Sequence, residues 1–294
     1  MKRVKPIYKI LIYAVLILVA ICCIYPFLLV LGSSFQSQNE IMSIGYKALP
    51  KAPTLSAYKS IFASPQKVID SYVITIITSV IVTILGTWMT ATMGYVVSRH
   101  DYRFRRALSF FIFFTMMFNG GLVPTYILIS KWLHMSDTIW ALIVPILMSA
   151  WNIMLMKGFF AALPGALIES AKLDGASELL TFVRIIIPIS TPAFATVALF
   201  TLLGAWNSWM PSMLYTENQK LYTLQYMLQQ VMNNISFLNS EAAIQYGAIK
   251  EGTEIPTYSV RMAMCIVTSG PVLVIFPFFQ RYFTQGLTVG SLKG

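Results

Sequence analysis

Six long apolar runs without a single charged residue follow one another along the chain, separated by polar segments. They cover residues 10–32, 71–98, 107–130, 138–156, 185–216 and 262–280. A helix needs about 20 apolar residues to cross the roughly 30 Å hydrocarbon layer of a membrane. The pattern predicts an all-α membrane protein with six transmembrane helices and both termini on the same side.

The composition agrees with a membrane protein. Of the 294 residues, 57% are apolar and 11% are charged, whereas a soluble domain has about 25% charged residues. Cys22, Cys23 and Cys265 lie within the runs, at spacings that match neither a disulfide framework nor a metal site. We therefore expect no bound metal.

Charges are distributed unevenly between the two sides of the predicted topology. The termini and the loops after the second and fourth runs carry thirteen Lys and Arg against four Asp and Glu, and the other loops carry eight against seven. Because cations near helix ends stay in the cytoplasm, both termini are predicted to be cytoplasmic. The net charge of +10 does not indicate nucleic-acid binding, since the cations are spread over membrane-flanking loops.

The spacing of the runs predicts three regions. Residues 1–70 hold the first helix and an extracellular loop, residues 71–283 hold the five-helix membrane domain, and residues 284–294 form a cytoplasmic tail. In the first loop, the proline-containing residues 50–54 predict an extended linker that enters a short helix.

A break is predicted in the third run, where Asn119, Gly120 and Gly121 precede Pro124. Broken helices often line a transport path. Alternatively, the small residues let helices approach closely, or the break lies at the outer surface.

A polar island, residues 169–177, lies between the fourth and fifth runs. Residues 166–173 favour a helix, Asp174 and Gly175 end it, and Ser177 can cap a second helix. Two short helices meeting at a glycine form a compact knob. Glu169 and Lys172 are spaced for a local ion pair. The knob is either an element that docks onto a cytoplasmic partner or an ordinary cytoplasmic loop.

The island resembles the loop by which permease subunits of ABC importers dock onto their ATPases. The shared pattern is E-x-A-x-x-x-G, nine residues, then I-x-x-P, from Glu169 to Pro188. By this resemblance, the residues that couple to the ATPase are Glu169, Ser170, Ala171, Asp174, Gly175, Ala176 and Pro188. Ser170 replaces the second residue of the usual E-A-A. The resemblance is to the carbohydrate branch, which includes the maltose-transporter permeases. It rests also on the six-span layout, on Trp206-Asn207 and on the closing residues 285–294, and it covers the chain from about residue 71 onward.

This resemblance implies the fold of a type I importer permease in a bacterial plasma membrane, surrounded by lipid. It also implies a second permease, two ATPase subunits and an extracellular sugar-binding protein as partners. The sequence contains no G-x-x-x-x-G-K-[ST] phosphate loop, so we expect this subunit to bind no cofactor and to catalyse no reaction itself. ATP and Mg would be used by the partner ATPase.

Aromatic and amide side chains within the runs are candidates for a sugar path. They are Asn119, Tyr126, Trp151, Asn152, Trp206, Asn207 and Trp209. An amide facing lipid is costly, so these groups are expected to face protein or water. Hydrogen bonding between helices, with aromatic anchoring at the membrane interface, is the alternative.

Residues 246–256 form a polar stretch in the fifth loop. By the same resemblance, Gly247, Lys250, Glu251 and Gly252 would contact the binding protein. A solvated connector is the alternative.

A self-sufficient secondary transporter is the competing hypothesis. Ion-coupled carriers usually place ionisable groups inside the membrane, and the six runs contain no Asp, Glu, Lys, Arg or His. The absence disfavours proton coupling.

Overall fold

The computed structural model describes residues 6–238 and 257–291 of the chain. All regular structure in this part is helical, which confirms the predicted class. The helices are α1 (Pro6–Ser34), α2 (Gln38–Ile44), α3 (Ser56–Ile61), α4 (Pro65–Ser98), α5 (Arg105–Met117), α6 (Leu122–Ile127), α7 (Ile139–Ile143), α8 (Ala150–Ala161), α9 (Gly165–Leu173), α10 (Glu178–Thr181), α11 (Ile187–Ile189), α12 (Thr191–Trp206), α13 (Met210–Tyr215), α14 (Leu224–Leu238) and α15 (Thr257–Ser291). Leu128–Trp132 and Phe182–Ile186 are π-helical, and Val144–Ile146 and Gln219–Leu221 are 3₁₀ turns.

In the described part of the chain, three candidate membrane spans are continuous helices and three are bent helix pairs. The continuous spans are Tyr8–Ser34, Pro65–Ser98 and Tyr258–Phe278. The bent pairs are Arg105–Met117 with Leu122–Trp132 at 110°, Ile139–Ile146 with Ala150–Ala161 at 49°, and Glu178–Ile189 with Thr191–Trp206 at 85°. With each pair counted as one span, the described residues hold up to six candidate spans, the number predicted.

The breaks have identifiable local causes. The break predicted at Asn119 to Gly121 is confirmed, because α5 ends at Met117 and α6 begins at Leu122. The fourth run also breaks, which was not predicted. Pro145 lies in the first turn of a 3₁₀ segment, and the Ser149 hydroxyl then caps α8 by accepting from the Asn152 amide at 3.4 Å.

The fifth run, expected to be one span over residues 185–216, is divided into three parts. Residues 185–189 continue the segment before the span, α12 ends at Trp206, and α13 follows as a separate short helix. Pro192 lies in the first turn of α12, where a proline has no helical hydrogen bond to lose.

The chain divides into two compact units, Met1–Val68 with Leu228–Pro271 and Ile69–Met227 with Val272–Gly294. In the first unit, the short helix predicted after the proline-containing linker is α3. The loop that carries it is held by a 2.8 Å hydrogen bond between the Ser34 and Tyr58 hydroxyls. The Lys51 amide also donates to Glu40 Oε1 at 2.8 Å.

In the second unit, the main core joins α4, α8, the π-helical turn and α12. Its buried residues are Ala91, Tyr95, Met156, Phe160, Phe182, Ile186, Ala193 and Val197. A Cβ on Gly86 of α4 would lie 2.5 Å from the Leu147 carbonyl oxygen. The backbones of α4 and the fourth span therefore touch at a point that only glycine accommodates.

Candidate coupling segment and substrate path

The polar island belongs to a longer element, residues 165–189, which we call the coupling segment. Its first helix, α9, ends as predicted at Asp174 and Gly175. Gly175 has φ +75°, its amide donates to the Lys172 carbonyl at 3.0 Å, and the Ala176 amide donates to the Ala171 carbonyl at 2.9 Å. These two bonds form a Schellman motif, which needs a left-handed residue at its centre.

The second helix of the coupling segment begins at the predicted cap. Ser177 has extended backbone geometry, and its hydroxyl accepts from the Leu180 amide at 3.3 Å. After α10, the π-helical turn leads into α11, where Pro188 lies in the first turn. The two predicted helices are therefore present, joined by a short turn that fixes their relative direction.

The coupling segment has an inner face and an outer face of different character. On the inner face, the Phe182 ring lies 5.0 Å from the Tyr95 ring of α4 and 6.3 Å from the Phe160 ring of α8. Ala171 is also buried, so it packs within this chain. On the outer face, Leu173 and Leu179 are 88% and 67% exposed.

A cluster of charged side chains ties the coupling segment to the end of α4. Arg99 donates to both Asp101 oxygens, at 3.0 and 2.8 Å, and to Glu178 Oε1 at 3.3 Å. Lys172 lies 2.5 Å from Asp101 Oδ2 and 3.3 Å from Glu178 Oε1. The Tyr95 hydroxyl donates to Glu178 Oε2 at 3.0 Å.

The expected local pair between Glu169 and Lys172 is wrong. Among the described ion pairs, Lys172 is bonded to Asp101 and Glu178 instead, and Glu169 is exposed. Two carboxylates attract the ammonium more strongly than one does, and Arg99 already holds both of them in place.

Within the cluster, the Asp101 carboxylate stays charged well into acid. Hydrogen bonds from Arg99 and then Lys172 hold the pKa of the Asp101 carboxyl well below its usual range. The same bond to Asp101 raises the pKa of the Lys172 ammonium. At neutral pH these groups therefore carry full charges.

The break in the third span opens onto a cavity of about 320 Å³. Its lining includes Asn119, Thr125, Ser208 and Tyr215. Tyr215 stacks on the predicted path residue Tyr126, with ring centroids 6.0 Å apart and an 11° interplanar angle. The cavity offers hydroxyl and amide groups beside an aromatic pair, which suits a polar ligand with one apolar face.

Asn119 also shapes the break itself. Its side-chain oxygen accepts from the Gly121 amide at 2.9 Å, and the Thr125 hydroxyl donates to the Gly121 carbonyl at 2.8 Å. These bonds satisfy backbone groups that the interrupted helix leaves free.

The other predicted path residues occupy different surroundings. Asn152 is buried and donates to the Thr201 hydroxyl at 3.3 Å, which favours the alternative of hydrogen bonding between helices. Trp206 is buried, whereas Trp151 is exposed and Trp209 is partly exposed. Asn207 is exposed and accepts from Gln225 Nε2 at 3.2 Å. A path role for these residues stays a prediction.

The predicted binding-protein contacts, Gly247, Lys250, Glu251 and Gly252, lie outside the described residues. Their role also stays a prediction.

Comparison with known proteins identifies the family. Residues 90–289 match the family described as "Binding-protein-dependent transport system inner membrane component". The chain belongs to this family. As a permease of such a system, it is a multi-pass membrane protein that works with an ATPase and a substrate-binding protein. The family therefore favours the importer-subunit hypothesis over the self-sufficient secondary transporter.

Similar proteins match the permease over almost its whole length. The polygalacturonan/rhamnogalacturonan transport system permease protein YtcP of Bacillus subtilis is 34% identical, over 98% of this chain and 99% of that protein. The trehalose/maltose transport system permease protein MalG of Thermococcus litoralis is 29% identical, over 99% of both. A solved bacterial ABC transporter involved in import of the acidic polysaccharide alginate has a chain with a TM-score of 0.77 and 26% identity, over 96% of this chain and 99% of that one.

Several residues of both candidate sites were not predicted from the sequence. Leu173 is an apolar residue within the polar island and Leu179 follows it in the second helix, and this was the available signal for them. Arg99 was counted only as a cytoplasmic cation, although it is the least exposed member of the charge cluster. Tyr215 lacked any signal, because its partnership with Tyr126 depends on how two broken spans fold.

Proposed function

We propose that the permease forms a translocation path with a second, similar permease and docks onto two ATPase subunits. An extracellular binding protein would deliver a sugar or oligosaccharide to this path. The names of the relatives support this substrate class, because they include transporters of polygalacturonan and of trehalose and maltose. ATP and Mg would be used by the ATPase.

The proposed orientation places both termini and the coupling segment in the cytoplasm. The excess of Lys and Arg on that side supports it. In this orientation the coupling segment faces the compartment that contains ATP.

The two faces of the coupling segment carry the proposal. Leu173 and Leu179 are exposed and would enter an apolar groove on the ATPase. Phe182 is in the core that joins α4, α8 and α12. Because packed aromatic rings leave little free volume, a displacement of the outer face would be transmitted to these helices.

Co-purification tests the proposed assembly. The permease, tagged and extracted in mild detergent from its native membrane, should bring down a second permease and a P-loop ATPase. Gly175→Val should reduce the ATPase recovered by about five- to thirtyfold, because a left-handed conformation costs an L-residue roughly 1–2 kcal/mol. Quantitative mass spectrometry would measure the recovery.

Gly158→Val is the matched control. Gly158 lies in α8, and a Cβ there meets nothing within 4 Å, as is also true at Gly175. Equal ATPase recovery from the two variants would contradict docking through the coupling segment. Recovery of a stable permease alone would contradict the assembly.

We further propose that the cavity at the third-span break forms part of the sugar path. Tyr126→Leu should raise the apparent KM for uptake about three- to tenfold. An aromatic stacking contact, here between the ring pair and the sugar, contributes roughly 0.5–1.5 kcal/mol. Tyr126→Phe keeps the ring and should transport nearly as the wild type does. Uptake by reconstituted vesicles would measure both, and identical KM values for the two variants would remove this cavity from the path.

A further inference from the structure

A second cavity, separate from the charge cluster, lies between the end of α4 and the facing surfaces of α5 and α8. Its volume is about 370 Å³, and its lining includes His100, Arg105, Arg106, Ser109 and Lys157. Val97 and Ala161 supply apolar wall. The lining therefore carries three permanent positive charges and no carboxylate.

These cations have no acidic partners in the described part of the chain. The ion pairs there involve Arg99 and Lys172 as the cations. Lys157 donates to the Ser109 hydroxyl at 3.0 Å, and Arg105 lies 2.5 Å from His100 Nδ1. These contacts orient the cations around the cavity but supply no negative charge to compensate them.

The position of the two arginines adds to the positive potential. Arg105 and Arg106 occupy the first turn of α5, which has no acidic residue and no side-chain cap. The first turn of a helix already carries a positive partial charge, so cations are unfavourable there without a nearby anion. The cavity as a whole attracts an anion.

The outer face of α5 indicates where that anion comes from. Arg106, Phe110 and Phe114 are exposed and spaced four residues apart, so they share one side of the helix. The Phe110 and Phe114 rings lie 6.3 Å apart. A cationic group next to an apolar aromatic surface matches the headgroup and acyl chains of a phospholipid. Free phosphate has no apolar part that would contact the aromatic rings.

We propose that this cavity binds the phosphate headgroup of an anionic membrane lipid, with its acyl chains along Phe110 and Phe114. Arg105, Arg106 and Lys157 would compensate the phosphate charge, and Ser109 would donate a hydrogen bond to it. Basic pockets beside membrane helices bind anionic headgroups by this chemistry.

Native mass spectrometry of the assembled transporter tests this site. The complex would be exchanged into nanodiscs of phosphatidylcholine with or without phosphatidylglycerol, and the phosphatidylglycerol retained after detergent release would be measured. The double variant with Arg106→Gln and Lys157→Gln should retain it about thirtyfold less well, since each cation beside an anionic lipid contributes roughly a fivefold change in affinity. The single variant Arg106→Gln, at an exposed position, should retain phosphatidylglycerol about fivefold less well.

Arg103→Gln is the control, because Arg103 is exposed and does not line the cavity. It should retain lipid as the wild type does, and all variants should have the wild-type Tm in pure phosphatidylcholine. Equal retention by the wild type and the double variant would overturn the site. Stabilisation by inorganic phosphate with no dependence on phosphatidylglycerol would overturn the lipid as its source.

Discussion

Replacing Leu173 by glutamate is expected to weaken the binding of the ATPase to the permease by about ten- to hundredfold. Leu173 is 88% exposed on the outer face of the coupling segment. Burying a leucine contributes roughly 1.5–3 kcal/mol, and the glutamate would also lose hydration in the docked state. Titration of purified ATPase onto permease-containing membranes would measure the change.

Leu49→Glu is a matched control for this substitution. Leu49 is 87% exposed and lies between α2 and α3, away from the coupling segment in sequence. It should leave ATPase binding unchanged. If Leu173→Glu bound the ATPase as tightly as Leu49→Glu does, the outer face would not be the docking surface.

Much of the fold was predictable from local patterns. Uncharged apolar runs of about 20 residues indicated the spans, because a segment that crosses lipid alone must satisfy its own backbone hydrogen bonds as a helix. Asn119 and the glycines after it predicted the third break, and Gly175 and Ser177 predicted the turn of the coupling segment. In each case the responsible residues are neighbours in sequence.

The remaining features depend on contacts between distant residues. Lys172 is bonded to Asp101, 71 residues away, rather than to Glu169 on its own helix. Asn152 and Asn207 looked equivalent in sequence, yet one is buried against Thr201 and the other is exposed. Side-chain chemistry alone does not reveal which neighbours the tertiary fold supplies.

The coupling segment is attached to the membrane helices in two physically different ways. Phe182 joins it to the apolar core, and the charge cluster joins it to the end of α4. The apolar contact resists compression, whereas the ion pairs are directional and resist sliding. Together they would make the segment move as one body with α4.

Acid should weaken the ion pairs of Asp101 in the charge cluster only at low pH. Because the folded-state pKa of Asp101 is lowered, its stabilising contribution is present above the unfolded-state pKa of about 3.9. That contribution is lost as pH falls through the folded value. Coupling is therefore expected to be independent of Asp101 protonation near neutral pH.

Arg99→Ala is expected to separate ATP hydrolysis from transport. Arg99 is nearly buried and bonds to both Asp101 and Glu178. Hydrogen bonds to charged groups contribute roughly 1.5–3 kcal/mol, and less where the partner is exposed to solvent. The carboxylates of Asp101 and Glu178 are both exposed. We expect the ATPase to remain bound, because the outer leucines are unchanged, while sugar transported per ATP falls about tenfold.

Vesicles reconstituted with both permeases, the ATPase and the binding protein would give the rates of transport and of ATP hydrolysis at once. Arg103→Ala is the control, since Arg103 lies over the Phe104 ring rather than in the cluster. Arg99→Lys keeps the charge but not the forked geometry, so it should restore only part of the coupling. A normal ratio of transport to hydrolysis in Arg99→Ala would show that the aromatic contact at Phe182 transmits the motion without the charge cluster.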